Sequence, residues 1–374
     1  MTVAAVKNDA LCGNYCFDSF YFGKSEIMKI SEAAKVLNAP MTGEDCSFKN
    51  VAIDSRSLGR GDLYVALCGE HFDGHDFISH AVEQGAVATI VEKETEDTVP
   101  SVVVPDTRLA LGQLASHWRS TFNGPLIGLT GSNGKTTVKE MLAAILERKG
   151  TVLATQGNLN NDIGVPLTLF RLQSHHQYAV IEMGANHPGE IGYLTNIASP
   201  SVALIINAAL AHLEGFGSLD GVAKAKGEIF EGLSEEGVAV INFDDPYYAL
   251  WKSFAGQYDI VSFGLDEAAD VSAKWVKHPD GSEIELHAAE GSVHISLAMP
   301  GKHNVMNALA ASATALTVGA SLADVKAGLE TMLSVPGRSQ RKSGMNGKTN
   351  SDDNYNANPA PLCDVTVLIL YVSS

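Results

Sequence analysis

Short apolar runs of strand length recur along this chain at residues 63–67, 86–91, 126–129, 178–183, 202–207 and 237–242. Between them the apolar positions fall three and four apart instead, the spacing that lines one face of a helix. Met141, Leu142, Ile145 and Leu146 do this within 138–149, and Leu109, Leu111, Leu114 and Trp118 do so after Arg108. Residues 77–84 read as a further helix, and Ser31 is placed to cap one running through Ala33, Val36 and Leu37. Strands alternating with helices predict an α/β fold. It divides into a small N-terminal α/β domain over 28–107 and a central, doubly wound, mostly parallel sheet domain over 108–334. Residues 1–27 carry neither period and read as a flexible extension, the pattern starting afresh at Met28.

In a doubly wound sheet, ligands gather beyond the carboxyl ends of the strands, and the polar clusters of this chain follow its apolar runs. The run at 126–129 opens into Thr130-Gly-Ser-Asn-Gly-Lys-Thr-Thr137 and then a helix. Glycines there let backbone N–H groups close on phosphate oxygens, and the helix N-terminus adds partial positive charge. Gly131, Ser132, Asn133, Gly134, Lys135, Thr136 and Thr137 therefore read as a nucleotide phosphate loop. Lys135 would reach the outer phosphates, and the Thr136 hydroxyl would sit on Mg²⁺. Leu129 stands where the strict pattern has glycine, so the match is to a variant. The plainer alternative is a Gly-rich turn with a solvated lysine.

Further polar groups stand at comparable places. Glu182 ends a run, where a carboxylate suits Mg²⁺ or is an ordinary strand-end acid. His212 offers an imidazole to a second metal, whereas Lys226, on a predicted helix, is on spacing alone a solvated lysine. Asn158, Asn160 and Asn161 make a loop of amide donors suited to an amide or carboxylate substrate, or to a capped turn. Asn304 and Asn307 lie one helical turn apart, a pair able to read a purine edge unless Asn304 caps the helix. Ser55 and Arg56 offer donors for phosphate or ribose, or a surface ion pair with Asp54. Arg338 and Asp353, in turn-rich polar stretches, suit a nucleotide's phosphate and ribose.

The formal charge of -17 argues against a nucleic-acid backbone as partner, since no basic excess exists to displace counterions. It leaves anionic nucleotides open. Five cysteines (12, 16, 46, 68 and 363) lack zinc spacing and fit a reducing, cytoplasmic setting. No stretch has the length and apolarity of a membrane span, and Lys7 and Asp9 interrupt any leader-like region.

Taken together these stretches resemble the Mur ligase family, the ATP-dependent enzymes of peptidoglycan precursor synthesis, over residues 28–359. The phosphate loop alone fits folylpolyglutamate synthases equally. More specific are Asn160-Asn-Asp-Ile-Gly-Val-Pro-Leu-Thr168, Glu182-Met-Gly-Ala-Asn-His-Pro-Gly-Glu-Ile191, Ala211-His-Leu-Glu-Gly-Phe-Gly-Ser218 and Asp353-Asn-Tyr-Asn-Ala-Asn-Pro359. The resemblance implies ATP and two Mg²⁺ ions, with UDP-N-acetylmuramoyl-tripeptide and D-alanyl-D-alanine as the partners joined, in a cytoplasmic monomer. It assigns Ser55 and Arg56 to the UDP moiety and Lys135 to the phosphates. Thr136 and Glu182 fall to one Mg²⁺, and His212 to the second, with Lys226 at a position the family often carries as a carbamate. Asn304 and Asn307 would face adenine, Arg338 the phosphates and Asp353 the ribose.

The family has a third α/β domain, of which only 335–374 is represented. This part therefore reads as the truncated remnant of a C-terminal Rossmann-like domain, and the chain is expected to bind nucleotide and UDP-substrate but to ligate poorly. A nucleotide-binding paralogue without ligase activity is one alternative. Another Mur-type, folylpolyglutamate-type or kinase-type P-loop enzyme is the other.

Overall fold

The computed structural model of the protein describes residues 26–69, 72–94, 99–210, 213–332, 340–343 and 349–352. His212, Arg338, Asp353 and nearly all of the expected extension and C-terminal remnant lie outside the described residues.

Two sheets organise what is described. The first holds β2 (Met41–Thr42), β4 (Asn50–Ala52), β5 (Asp62–Val65), β8 (Ala86–Val91) and β9 (Ser101–Val103), in the order β2-β9-β8-β5-β4. Only β2 runs antiparallel to its neighbour. Helix α1 (Ile30–Val36) lies beside a short ladder of β1 (Met28–Lys29) with β3 (Ser47–Phe48), and α2 (Ile78–Gln84) precedes β8. Ser31 does not cap α1: Lys29 holds that position, and the Ser31 hydroxyl and N–H both donate to Asp45. The described residues of the polar stretch 69–76 form more than a loop. They include β6 (Cys68–Gly69) paired with β7 (Phe72–Asp73), then a 3-10 turn at Gly74–Phe77.

Helix α3 (Thr107–Arg119) links the two sheets and packs in the core they share. Thr107, Ala110, Leu111, Leu114 and Ala115 form its buried stripe, spaced three and four apart as one helix face requires. Leu109 lies off that stripe and is 51% exposed, contrary to the expectation that it points inward.

The second sheet has nine strands in the order β11-β12-β10-β13-β14-β15-β16-β17-β18. These are β10 (Leu126–Thr130), β11 (Val152–Ala154), β12 (Tyr178–Glu182), β13 (Val202–Ile205), β14 (Val238–Asn242), β15 (Asp259–Gly264), β16 (Val271–His278), β17 (Gly281–Ala288) and β18 (Gly291–Leu297). The strands from β11 across to β16 are parallel. Antiparallel β17 and β18 extend one edge, which the apolar runs did not signal because their outward faces are polar.

Both faces of β10, β12, β13 and β14 are covered, so these strands are apolar along most of their length. Leu126, Ala179 and Ile181 enter the core beneath α3, α5 (Gly164–Leu169) and α6 (Glu190–Ala198). Ile127, Leu129 and Val180 enter the opposite core against α4 (Lys135–Leu146), α10 (Lys302–Thr317) and α11 (Leu322–Leu329).

A histidine on the turn before β12 gives this fold a pH dependence. His176 Nδ1 accepts the N–H of Gln173 at 3.0 Å. Burial, then the charges of His175 and Arg171, push its pKa down to about 4. The unfolded chain protonates this ring near pH 6.5 and the folded one near 4, so stability falls as pH drops through that window. The ring is only half buried, and screening reduces the contribution to about 1 kcal/mol. Thermal melts from pH 7 to 5 should show a smaller loss of Tm for His176→Asn, whose carbonyl keeps the acceptor without titrating. Equal losses would remove His176 from the account.

Candidate active site

The strand order reverses around β10, which lies between β12 and β13 although both follow it in sequence. Chains leaving the carboxyl ends of these three neighbours therefore meet in one crevice, where ligands bind in sheets of this kind. They are the phosphate loop, the segment opening at Glu182 and the segment opening at Asn207.

The loop turns into its helix through a glycine. Gly134 is the N-cap of α4 with φ +81, a left-handed conformation that a side chain disfavours. A Cβ there would also lie 2.4 Å from Asn307 Oδ1. Helix α4 accordingly begins at Lys135 rather than at 138, placing Lys135, Thr136 and Thr137 in its first turn. Lys135 Nζ donates to Gly131 O at 2.9 Å. Asn207 clasps the apex from the neighbouring strand end. Its Oδ1 accepts from Asn133 N (3.0 Å), its Nδ2 donates to Asn133 O (3.1 Å), and its carbonyl accepts from Ser132 N (3.1 Å). The Ser132 hydroxyl completes the clasp by donating to Ala209 O and accepting from Ala209 N.

Glu182 is 2% exposed, yet its carboxylate is aimed at the loop. Thr136 Oγ1 donates to its Oε2 at 3.1 Å and Asn160 Nδ2 to its Oε1 at 2.9 Å. A Mg²⁺ ion takes oxygen ligands at about 2.0–2.1 Å in an octahedron, so adjacent ligands stand about 2.9 Å apart. The Thr136–Glu182 separation is already close to that edge, and both donors are hard oxygens. The residues present fit the ion.

Lys226, on α8 (Leu219–Gly227), departs most from its sequence reading. It is not solvated but 3% exposed, with its Nζ 5.8 Å from the centre of the Phe216 ring. Burial, reinforced by the charge of Lys135, lowers its pKa to about 7 against the opposing pull of Glu228 and Glu190. Trp251, fully buried on α9 (Tyr248–Ala255), holds α8 in place by donating Nε1–H to Ala223 O at 2.8 Å. Glu228 caps the entry to α6, accepting the N–H groups of Gly189 and Gly192.

The amide residues separate into different roles. Asn160 reaches Glu182, whereas the Asn161 side chain accepts from Gly164 N at 2.9 Å, the capped-turn alternative. Asn158 is exposed on the same loop. Asn304 does not cap α10, since Gly301 does; it lies in the first turn, donating to Pro300 O. Asn307, also buried, borders the phosphate loop at Gly134.

In the first sheet, the Ser55 hydroxyl meets His80 Nδ1 at 3.0 Å. The Arg56 guanidinium engages both oxygens of Asp54, the surface pair weighed from sequence. Nearby, Cys68, Asp73 and His75 group together, but both ring nitrogens of His75 are engaged, by Asp73 and by Glu92 N. Burial, then the acidic neighbours Asp73 and Glu92, push the Cys68 thiol up to about 11, away from reactivity.

Sequence reasoning missed Asn207 as a loop clasp and also missed Asp245. This buried carboxylate accepts from Ala208 N (3.0 Å) and Tyr247 N (2.9 Å), fixing the segment that carries Ala209. The available signal was position: both are polar residues just past an apolar run.

The family description "Mur ligase middle domain" matches residues 129–315, and "Mur ligase family, catalytic domain" matches 47–119. The UDP-N-acetylmuramoyl-tripeptide–D-alanyl-D-alanine ligase of Escherichia coli (strain K12) is 46% identical over 331 residues, covering 88% of this chain and 73% of the relative. A crystal structure of MurF from Acinetobacter baumannii superposes with a TM-score of 0.87 at 40% identity, covering 91% of this chain and 76% of the other. MurF ligase from Thermotoga maritima, solved in complex with ADP, gives 0.76 at 32% identity, with coverage of 86% and 74%.

Proposed function

We infer the reaction from one premise: the chain belongs to the Mur ligase family. It is an ATP-dependent ligase that adds D-alanyl-D-alanine to UDP-N-acetylmuramoyl-tripeptide in peptidoglycan precursor synthesis. The observation that carries this reading is the phosphate loop meeting a buried carboxylate, Thr136 Oγ1 to Glu182 Oε2 at 3.1 Å, close to the edge of a Mg²⁺ octahedron.

The residues divide the work as follows. The N–H groups of residues 134–137 and the Lys135 ammonium would cradle the ATP phosphates at the start of α4, on a loop that Asn207 holds at Ser132 and Asn133. The terminal carboxylate of the tripeptide attacks the γ-phosphorus, the bond to ADP breaks, and an acyl phosphate results. The free amine of D-alanyl-D-alanine then attacks that acyl carbon, loses a proton and expels phosphate. Mg²⁺, when bound, reduces the repulsion between two anionic reactants. Thr136 and Glu182 would hold one ion, with Asn160 fixing the carboxylate's orientation.

A second ion is assigned to His212 and to Lys226 as a carbamate. The support for the carbamate is a buried amine that is half neutral at pH 7 and so open to carbon dioxide. Asn304 and Asn307 stand for the adenine side, next to the loop at Gly134. Arg338 and Asp353 complete the nucleotide assignment by family position. The unit over 28–107 would take the UDP moiety, with Arg56 exchanging Asp54 for phosphate at Ser55. Asn158 and Asn161 would border the peptide. No helix among the described residues is long and apolar enough to cross a membrane.

The test joins a binding panel to a product assay. UDP-N-acetylmuramoyl-tripeptide and ATP should each raise Tm, and folates should not. With Mg²⁺ and D-alanyl-D-alanine added, mass spectrometry should detect the dipeptide-extended nucleotide. Stabilisation by folates instead of the UDP-substrate would reject the assignment.

A further inference from the structure

A buried lysine that takes no part in the chemistry above joins the phosphate-loop helix to the metal carboxylate. We propose that Lys139 is a positioning residue that sets the gap between Thr136 and Glu182. The proposal rests on those two residues holding Mg²⁺.

Lys139 lies on α4, one turn beyond Thr136, and is 2% exposed, among the largest fully buried side chains. Its Nζ donates to Thr155 O at 2.6 Å and meets Glu140 Oε1 at 2.8 Å. Thr155, itself buried, follows β11 and accepts the backbone N–H of Glu182 on its Oγ1 at 2.9 Å. Glu182 Oε2 returns to Thr136 at 3.1 Å. The contacts close a ring: helix to lysine, lysine to Thr155, Thr155 to Glu182, and Glu182 back to the same helix. Thr155 also opens the loop that carries Asn160, so both supports of the Glu182 carboxylate hang from the strand end that Lys139 holds.

A lysine is a costly way to fill a core position, because burying an ammonium forfeits its hydration. A methionine would fill the same volume without that loss. What methionine lacks is a donor long enough to tie α4 to the Thr155 carbonyl. The geometry this tie fixes is the one an octahedral ion tolerates least, since Mg²⁺ accepts little departure from ideal ligand positions. Residues that orient metal ligands in this way typically change metal affinity about 10–100-fold when replaced.

The experiment is isothermal titration of ADP into the whole chain, in Mg²⁺ and in EDTA, with Tm recorded for each variant. The ratio of the two affinities reports the metal's contribution and is insensitive to a general loosening of the nucleotide site. Lys139→Met should lower that ratio about tenfold while leaving the EDTA affinity within about twofold and the melt cooperative. Thr155→Val, which breaks the ring at its other joint without touching the lysine, should lower the ratio too, and Thr155→Ser should restore it. If Lys139→Met fails to fold, the Thr155 pair decides. A wild-type ratio in either folded variant, Lys139→Met or Thr155→Val, overturns the proposal. No Mg²⁺ effect in the wild-type protein would instead overturn the metal reading of Thr136 and Glu182, and this proposal with it.

Discussion

Replacing Lys135 by alanine should lower phosphate release from ATP by about a thousandfold while leaving affinity for the UDP-substrate within about twofold. The first figure is the cost of removing one preorganised charge aimed at a developing anion. In this site the ammonium sits over the loop it serves, 2.9 Å from Gly131 O. The second figure follows from distance along the fold. Ser55 and Arg56 lie on the turn between β4 and β5 of the five-stranded sheet, and Lys135 opens α4, which follows β10 of the nine-stranded one. The loop itself should survive, because the Asn207 clasp on Ser132 and Asn133 does not involve the lysine. Steady-state phosphate release and titration of UDP-N-acetylmuramoyl-tripeptide measure the two quantities. Equal loss of both, in a variant that still melts cooperatively, would reject the assignment of the two substrates to different sheets.

The second large effect is expected at Lys226, where alanine should cost at least about a hundredfold in turnover, the scale of losing one charged group at such a site. Short-chain carboxylates should restore part of it by supplying the missing oxygens. The sign of the pH dependence follows from the pKa of about 7, set first by burial and then by Lys135. Below that pH the amine is protonated and cannot add carbon dioxide; above it the neutral amine predominates. A carbamate signal from ¹³C-labelled carbon dioxide should therefore grow from pH 6 to 8 in the wild-type protein and be absent in Lys226→Ala. Full activity of Lys226→Ala without added carboxylate would remove the residue from the mechanism.

What local sequence determined was whatever neighbouring residues decide among themselves. The apolar runs marked β5, β8, β10, β12, β13 and β14 because a strand covered on both faces must be largely apolar, whereas the parallel strands β11, β15 and β16 were not marked. The Gly131–Lys135 spacing marked the phosphate loop because a left-handed turn before a helix is a property of a few consecutive residues, as Gly134 at φ +81 shows. Even so, Ser31 did not cap α1, since a carboxylate fourteen residues away, Asp45, took its hydroxyl.

Tertiary structure alone decided the partners. Period and spacing could not place Glu182 between Thr136 and Asn160, because those contacts span 46 and 22 residues and exist only where the strand order reverses. Nor could they distinguish Asn160, which holds the carboxylate, from Asn161, which closes a turn. Burial of Lys226 and Lys139 ran against what lysine predicts at any exposed-looking position, and only packing from distant elements produced it. Charge is read from composition, but the free energy of a charge depends on the water around it. Which lysines lose that water is decided by the folded chain.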